Sequence, residues 1–351
     1  MRVDEHTFHL DESPVYYRSA DASGMPKLYL HGIPTSSDDW VEFLARTGGV
    51  APDLIGFGRS GKGGQLDYSL RGLANFVERF LRHVRLDEIE IVGHDWGAAV
   101  ALVLCGRQPT QLRRLVLINP PPLLDLARWP LVLRLWRTPG VGELLMGATT
   151  KGLLARALRR GSGRGDAWSE ERIAAVWRQF DQGTQRAILR LVRSAGDDGI
   201  GGGSRPAGTG AGGITRFAGA TDAAVGADAV MAAQTDAATA PLTDTAQDPP
   251  AEMATDTATG VPAATTAKGA TDGPAEKGSD ALAEAPAATR SGTPPVTIVW
   301  GENDPWYPPA VADDYAARLP GATVERIAGA GHWPWMDRPE VVDCVAALLE
   351  G

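Results

Sequence analysis

The pentapeptide Gly93-His94-Asp95-Trp96-Gly97 decides how this chain is read. An apolar run at residues 88–93 (EIEIVG) leads into it and breaks at glycine, and a second apolar run at 98–106 follows with helical spacing. A strand that turns into a helix within so few residues must bend sharply, which the two glycines permit. The central side chain then stands on strained, exposed backbone, and the next amide points at it from a helix N-terminus. This is the G-x-nucleophile-x-G elbow, with aspartate in the nucleophile's place. By itself the pattern fits equally well an aspartate N-cap opening the following helix, so neighbouring motifs have to discriminate.

Upstream, residues 27–31 form a short apolar strand ending in His31-Gly32-Ile33-Pro34. Such a turn offers the amide of Ile33 as one donor of an oxyanion hole, beside the amide of Trp96. His31 is read as a turn histidine bonded to nearby backbone. The stretch Asp53 to Ser60 (DLIGFGRS) has a G-x-G-x-S turn but lacks the remainder of a nucleotide-binding fingerprint. Downstream, a buried strand at 296–300 is followed by Glu302-Asn303-Asp304, and Asp304 is the expected acid with Glu302 as its rival. The loop after the strand at 114–118 begins Asn119-Pro120 and carries no carboxylate at its tip. Gly329-Ala330-Gly331-His332-Trp333 follows a last strand at 323–327, so His332 sits on a glycine-rich loop at a strand end. His6, His9 and His83 fall in charged surface contexts.

Apolar strands alternating with helices, at 98–106, 309–319 and 339–349, predict a mostly parallel sheet covered on both faces. In such sheets chemistry gathers at the carboxyl ends of the strands, where each motif above lies. The chain of 351 residues divides into a first part of the core at 1–120, a helical cap at 121–195, an insertion at 196–293, and the second part of the core at 294–351. The insertion is rich in Ala, Gly, Thr, Asp and Pro. It cannot bury enough apolar area to offset the entropy of ordering, so disorder is the expectation. Its thirteen acids and five basic residues account for −8 of the net charge of −9. The rest is close to neutral, which argues against nucleic-acid binding.

No run of eighteen apolar residues is present to span a membrane. The charged start Met1-Arg2-Val3-Asp4-Glu5-His6 does not read as a signal peptide, and cytoplasmic location is the expectation. Cys105 and Cys344 read as small core residues on helices. No ligand cluster with metal spacing occurs, and neither a metal nor an organic cofactor is implied. A small-molecule substrate and a monomer or homodimer are expected.

Taken together, HGIPTSSDDW, DLIGFGRSGK, GHDWG, WGENDPWYP and GHWPWMDRPE resemble, in order, the motifs of the α/β-hydrolase superfamily, in the branch holding haloalkane dehalogenases and epoxide hydrolases. The resemblance runs through most of 27–193 and 295–351 and is weakest in the cap. It implies an α/β-hydrolase fold with an eight-stranded, mostly parallel sheet flanked by helices and a helical cap. It also implies Asp95, His332 and Asp304 as nucleophile, base and orienting acid.

An aspartate nucleophile narrows the chemistry. Ionised at neutral pH, it can attack a saturated carbon directly, giving an ester whose carbonyl belongs to the protein. Water activated by His332 can then hydrolyse that ester, the tetrahedral intermediate being held by the Ile33 and Trp96 amides. A serine at that position would form an ether and stop. Displacement of a halide needs donors but no proton. The indole of Trp96, with a second indole from the cap, Trp129 or Trp136 foremost and Trp168 and Trp177 also available, would make a halide cradle. Dehalogenase-like hydrolysis is therefore expected, with an epoxide hydrolase as the alternative. Many dehalogenases carry Asn or Glu where Ile33 stands, and that donor or charge is missing here. Epoxide opening needs an acid on the departing oxygen, supplied in that family by tyrosines of the cap. No tyrosine lies between Pro120 and Thr293, and Tyr307 is in a different element. A general ester hydrolase or a non-catalytic ligand-binding protein are the readings from outside this chemistry. The arginine excess of the cap reads as a solvated helical face.

Overall fold

The computed structural model describes residues 1–22, 24–107, 111–123, 128–195, 294–319 and 321–350; the expected insertion at 196–293 lies outside them. Strand β1 (Asp4–Leu10) pairs with β2 (Ser13–Ala20) as a hairpin. There follow β3 (Lys27–Leu30), α1 (Val41–Thr47), β4 (Gly49–Pro52), α2 (Leu70–His83), β5 (Glu88–His94), α3 (Trp96–Arg107) and β6 (Gln111–Ile118). Between β6 and the next described strand run α4 (Leu131–Arg137), α5 (Val141–Gly147), α6 (Lys151–Gly161), α7 (Glu170–Gln179) and α8 (Gln182–Ser194). The remaining elements are β7 (Val296–Gly301), α9 (Ala310–Arg318), β8 (Thr323–Ile327), the single turn α10 (Pro334–Asp337) and α11 (Glu340–Glu350).

The eight strands make one sheet in the order β1-β2-β4-β3-β5-β6-β7-β8. Strand β2 is antiparallel to both neighbours, and every pair from β4 to β8 is parallel. Strand order reverses at β3, which has β4 on one side and β5 on the other, so a crevice opens outside the carboxyl ends of β3 and β5. Ile33 follows β3 and Asp95 follows β5 at that crevice. Register aligns Leu30 with Gly93, His94 with Ile118, and Ile118 with Val299, bringing the ends of β3, β5, β6 and β7 level.

The central strands are largely apolar because both faces are covered. Ile89, Val92, Leu115, Val116, Leu117, Ile298 and Val299 have no exposed surface. Each such side chain contributes about 1.5–3 kcal/mol by leaving water, so a charge at Val92 would break the platform under Asp95. Helix α2 buries Leu70, Leu73, Ala74, Val77, Phe80 and Leu81 on one face at helical spacing, and its N-cap Ser69 accepts from the Gly72 amide at 3.0 Å. Cys105 and Cys344 are free and half-buried, lying at the edge of the core and not within it.

Among the described residues, no helix is long and apolar enough to cross a membrane. Of the basic residues on α6–α8, Arg159 pairs with Glu170, Arg172 with Glu42 and Arg193 with Glu143, and Arg164, in the loop after α6, pairs with Asp166.

Candidate active site

The turn between β5 and α3 is as sharp as the sequence demands. Asp95 has φ of 49°, a left-handed conformation costly for a residue with a Cβ, and is held there by packing on both sides. A Cβ on Gly93 would stand 2.6 Å from Ala98 Cα, and one on Gly97 only 2.2 Å from the Leu30 carbonyl oxygen. The elbow therefore closes only with glycine at both places.

Asp95 is 1 % exposed. Its Oδ2 accepts from the Ile33 amide at 3.1 Å, and its Oδ1 accepts from the Tyr307 hydroxyl at 2.9 Å. Oδ1 also lies 3.8 Å from His332 Nε2. Burial raises the carboxyl's pKa above the usual aspartate value; His332, the Ile33 amide, Tyr307 and the Trp96 amide pull the other way.

His332 is equally buried, and its Nδ1 meets Asp304 Oδ2 at 2.7 Å. A carboxylate can only accept, so Nδ1 carries the proton and Nε2 is left as the basic nitrogen facing Asp95. Burial disfavours the imidazolium, but the carboxylates of Asp304, Asp95 and Asp39 outweigh it and raise the pKa above the ordinary histidine value. Asp304 is in turn fixed by four donors: Asn119 Nδ2 at 2.8 Å and His332 on Oδ2, and the amides of Trp306 and Tyr307 on Oδ1 at 2.8 and 3.1 Å. Glu302, the rival acid, is exposed.

The histidine loop is clamped by contacts that sequence reading missed. The buried carboxylate of Asp337, on α10, accepts from the amides of Gly331 at 2.7 Å, Gly163 at 2.7 Å and Arg164 at 2.9 Å. The His332 amide donates to Gly161 O at 2.6 Å. Thus the end of α6 and the loop carrying His332 are stitched together through one carboxylate. No local motif announces Asp337, because its partners are backbone amides, two of them more than a hundred residues away.

Other candidates fall as follows. His31 is the expected structural histidine, with Nδ1 donating to Gly32 O at 2.8 Å and Nε2 accepting from the Leu54 amide at 2.9 Å. Asp53 anchors the turn before Arg59: it accepts from the amides of Ser37 and Arg59 at 2.8 and 2.7 Å. His9 and His83 are exposed, but His6 is half-buried, bonded to Ser19 and stacked on Tyr17. Trp96 is fully buried, and its indole nitrogen has no hydrogen-bond partner among the described residues. Trp129 packs edge-on against Trp96 at 6.0 Å, but its indole N–H donates to Pro122 O at 2.9 Å, which commits the donor a halide would need. Trp136 is half-buried on α4, Trp177 stacks on Phe180, and Trp168 packs edge-on against Trp333. Tyr307, set aside on sequence grounds, is brought onto Asp95 by the tight turn after Asp304. The signal available was spacing: a residue three beyond the acid, in a turn closed by Pro308-Pro309, returns to the strand ends. No group of His, Cys, Asp and Glu that could hold a metal occurs among the described residues.

An eight-stranded, mostly parallel sheet with a strained strand-to-helix turn at Asp95 and a carboxylate–histidine pair at its carboxyl edge defines an α/β hydrolase-type fold. The family model for the alpha/beta hydrolase fold matches residues 28–191 and 218–339, and the chain belongs to that family. A haloalkane dehalogenase of Mesorhizobium japonicum is 33% identical over 148 residues, which cover 38% of this chain and 47% of the relative. The chain thus spans about half the length of the curated relatives it matches. Among solved structures, the epoxide hydrolase CorEH without ligand aligns with a TM-score of 0.65 at 17% identity, covering 99% of each chain. The haloalkane dehalogenase DbeA from Bradyrhizobium elkani aligns with a TM-score of 0.64 at 22% identity, over 100% of this chain and 98% of its own. These two structures speak to the fold.

Proposed function

We propose that this protein is a hydrolase acting through an aspartyl ester on a small organic substrate, with carbon–halogen hydrolysis as the leading reaction. The observation that carries it is the setting of Asp95: Oδ2 is held by the Ile33 amide, while Oδ1 faces His332 Nε2 at 3.8 Å. In this reading Oδ1 attacks the carbon, the leaving group departs, and Asp95 Cγ becomes an ester carbonyl whose Oδ2 lies at the Ile33 amide. His332 Nε2 takes a proton from water, the hydroxide adds to Cγ, and the ester C–O bond on the Asp95 side breaks to free the alcohol. Asp304 holds the histidine in the required tautomer and stabilises its charged form. Trp96 contributes its unpartnered indole N–H to the departing atom. Helices α4–α8 serve as a lid over the strand ends, between the two parts of the core.

The dehalogenase reading draws on the Mesorhizobium japonicum relative. Epoxide hydrolysis is the second reading, favoured by the phenol seated on Asp95. A single turnover in water labelled with heavy oxygen tests the shared mechanism. Label retained in the Asp95 carboxylate, with unlabelled product alcohol, is the expected result; label in the first product instead would mean direct attack of water on the substrate.

A further inference from the structure

Thr35 Oγ1 stands between two acceptors, with Gly32 O at 3.2 Å and Asp39 Oδ2 at 2.6 Å, and a hydroxyl has one proton to give. Both contacts are hydrogen bonds when a second proton is present, and of these three oxygens that of the carboxyl is the one able to carry it. We propose that Asp39 is a positioning residue for the oxyanion donor: as a neutral acid it donates to Thr35 Oγ1, Thr35 donates to Gly32 O, and the Ile33 amide, in the same peptide unit as that carbonyl, is held on Asp95 Oδ2. The assignment rests on the aspartyl-ester reading and adds a control on its second step.

The peptide joining Gly32 to Ile33 is where the relay meets the nucleophile. It is planar, with carbonyl and N–H on opposite sides, so a group that grips one aims the other. The N–H donates to Asp95 Oδ2 at 3.1 Å. The carbonyl has two lone pairs, one taken by His31 Nδ1 at 2.8 Å and the other by Thr35. A donor on the carbonyl also polarises the peptide and strengthens its N–H. The contact is close: a Cβ on Gly32 would lie 2.6 Å from Asp95 Cβ and 2.8 Å from Oδ2.

Asp39 lies on the turn Ser37–Trp40 and is 7 % exposed. A carboxyl so placed loses most of its hydration, which favours the acid. Burial raises its pKa to about 7, so the proton is held up to neutrality. Asp38, next to it, adds to the shift, while Thr35, Arg172 and His332 oppose it. Glu42 of α1 and Glu171 of α7 line the same cavity as Asp39. Glu42 is paired with Arg172, and Asp38 with Arg18 and Arg59.

Loss of the proton reverses the relay. An ionised carboxylate is the stronger acceptor, so the Thr35 hydroxyl turns to it and leaves Gly32 O with His31. The Ile33 amide is then a weaker and less firmly aimed donor, at the oxygen where the tetrahedral intermediate places its charge. Alkylation builds no charge on Oδ2 and changes little. The ionised carboxylate also favours the His332 cation, which helps the base. Thr35 has no part in that second effect, so removing its hydroxyl separates the two.

The test follows ester hydrolysis by rapid quench after a pulse of bromobutane or epoxybutane, from about pH 5 to about pH 9, a span that brackets a buried carboxyl. Thr35→Val should slow the step by about 3- to 10-fold at the acid end, the worth of one hydrogen bond, with the ratio to the parent closing toward one at the alkaline end. In an Asp39→Asn background, where nothing titrates at that position, the ratio should cease to depend on pH. A second measurement needs no change at either residue: the carbonyl stretch of the ester trapped in His332→Ala, isolated by carbon-13 labelling of aspartate. Its frequency should rise with pH as the donor on Oδ2 weakens. A Thr35→Val ratio that is the same at every pH, no loss at all, or a carbonyl stretch indifferent to pH would overturn the proposal. Absence of any ester from both compounds would sink the aspartyl-ester reading beneath it, a distinguishable result.

Discussion

Asn119, at the end of β6, donates its amide to the same Oδ2 of Asp304 that accepts the proton of His332 Nδ1. Its own Oδ1 accepts from the Gly301 amide at 3.0 Å, so one buried side chain ties β6 to β7 and sets the lateral position of the acid. Asn119, like Asp95, has positive φ, at 41°. Removing the amide in Asn119→Ala strands the Gly301 N–H and frees Asp304 to rotate, at a cost of about 1–3 kcal/mol. We expect the ester-hydrolysis step to slow by about 10- to 100-fold while alkylation of Asp95 changes little. Rapid-quench measurement of the two steps separates them, and equal slowing of both would deny Asn119 this positioning role.

Asp304→Asn keeps the shape and removes the charge. The histidine then loses both its tautomer preference and its main source of cationic stabilisation, and ester hydrolysis should fall by about 1000-fold or more. In the wild-type protein that step needs neutral His332, so its rate should rise with pH as the histidine, whose cation Asp304 stabilises, loses its proton. Alkylation needs ionised Asp95 and should fall in acid through a pKa above the ordinary aspartate value. In Asp304→Asn the hydrolysis limb should move to lower pH. A limb that stays where it was would mean that Asp304 does not govern the base.

Much of this was legible beforehand. Asp95, His332 and Asp304 carry their signals locally, in a glycine-bracketed turn, a glycine-rich loop and a strand end. The hairpin of β1 and β2 was not, because β1 is an edge strand whose residues are exposed or half-buried, with charges where an apolar alternation would have marked it. β4 is four residues beginning with glycine and ending with proline, too short for periodicity to register. Asp337 was missed, and Tyr307 was set aside, for a different reason: the contacts of Asp337 with Gly163 and Arg164 and of Tyr307 with Asp95 span more than a hundred residues and form only when the strands align.

Asp337 gathers three amides, two from beyond α6 and one from the histidine loop. Its replacement by alanine should destabilise the fold by on the order of 3 kcal/mol and raise the mobility of His332, since buried amides lose a charged acceptor. Urea unfolding checks the first effect, and the hydrolysis rate at saturating substrate the second. A variant as stable as its parent would contradict the clamp.

Asp39 lines a cavity of about 380 Å³ with Thr35, Trp168, Arg172, Val176 and Met336. Burial raises its pKa to about 7, with Asp38 adding to the shift and Thr35, Arg172 and His332 opposing it. Above the unfolded carboxyl's pKa of about 4, the folded state holds a proton that the unfolded state has released, so stability falls as pH rises from about 4 to about 7. Asp39→Asn keeps an acceptor for the Thr35 hydroxyl, 2.6 Å away, and abolishes that loss. We expect it to stabilise the protein by on the order of 4 kcal/mol at about pH 8 and by almost nothing at about pH 4. A gain independent of pH would assign the effect to packing.

The aspartyl ester itself is tested most directly by the intact mass of His332→Ala after incubation with haloalkanes and epoxides. The expected result is a stable adduct on Asp95, located by peptide mapping, equal to the alkyl group from a halide or to the whole epoxide. No adduct from either class, in a variant that is folded, would contradict the nucleophilic role of Asp95.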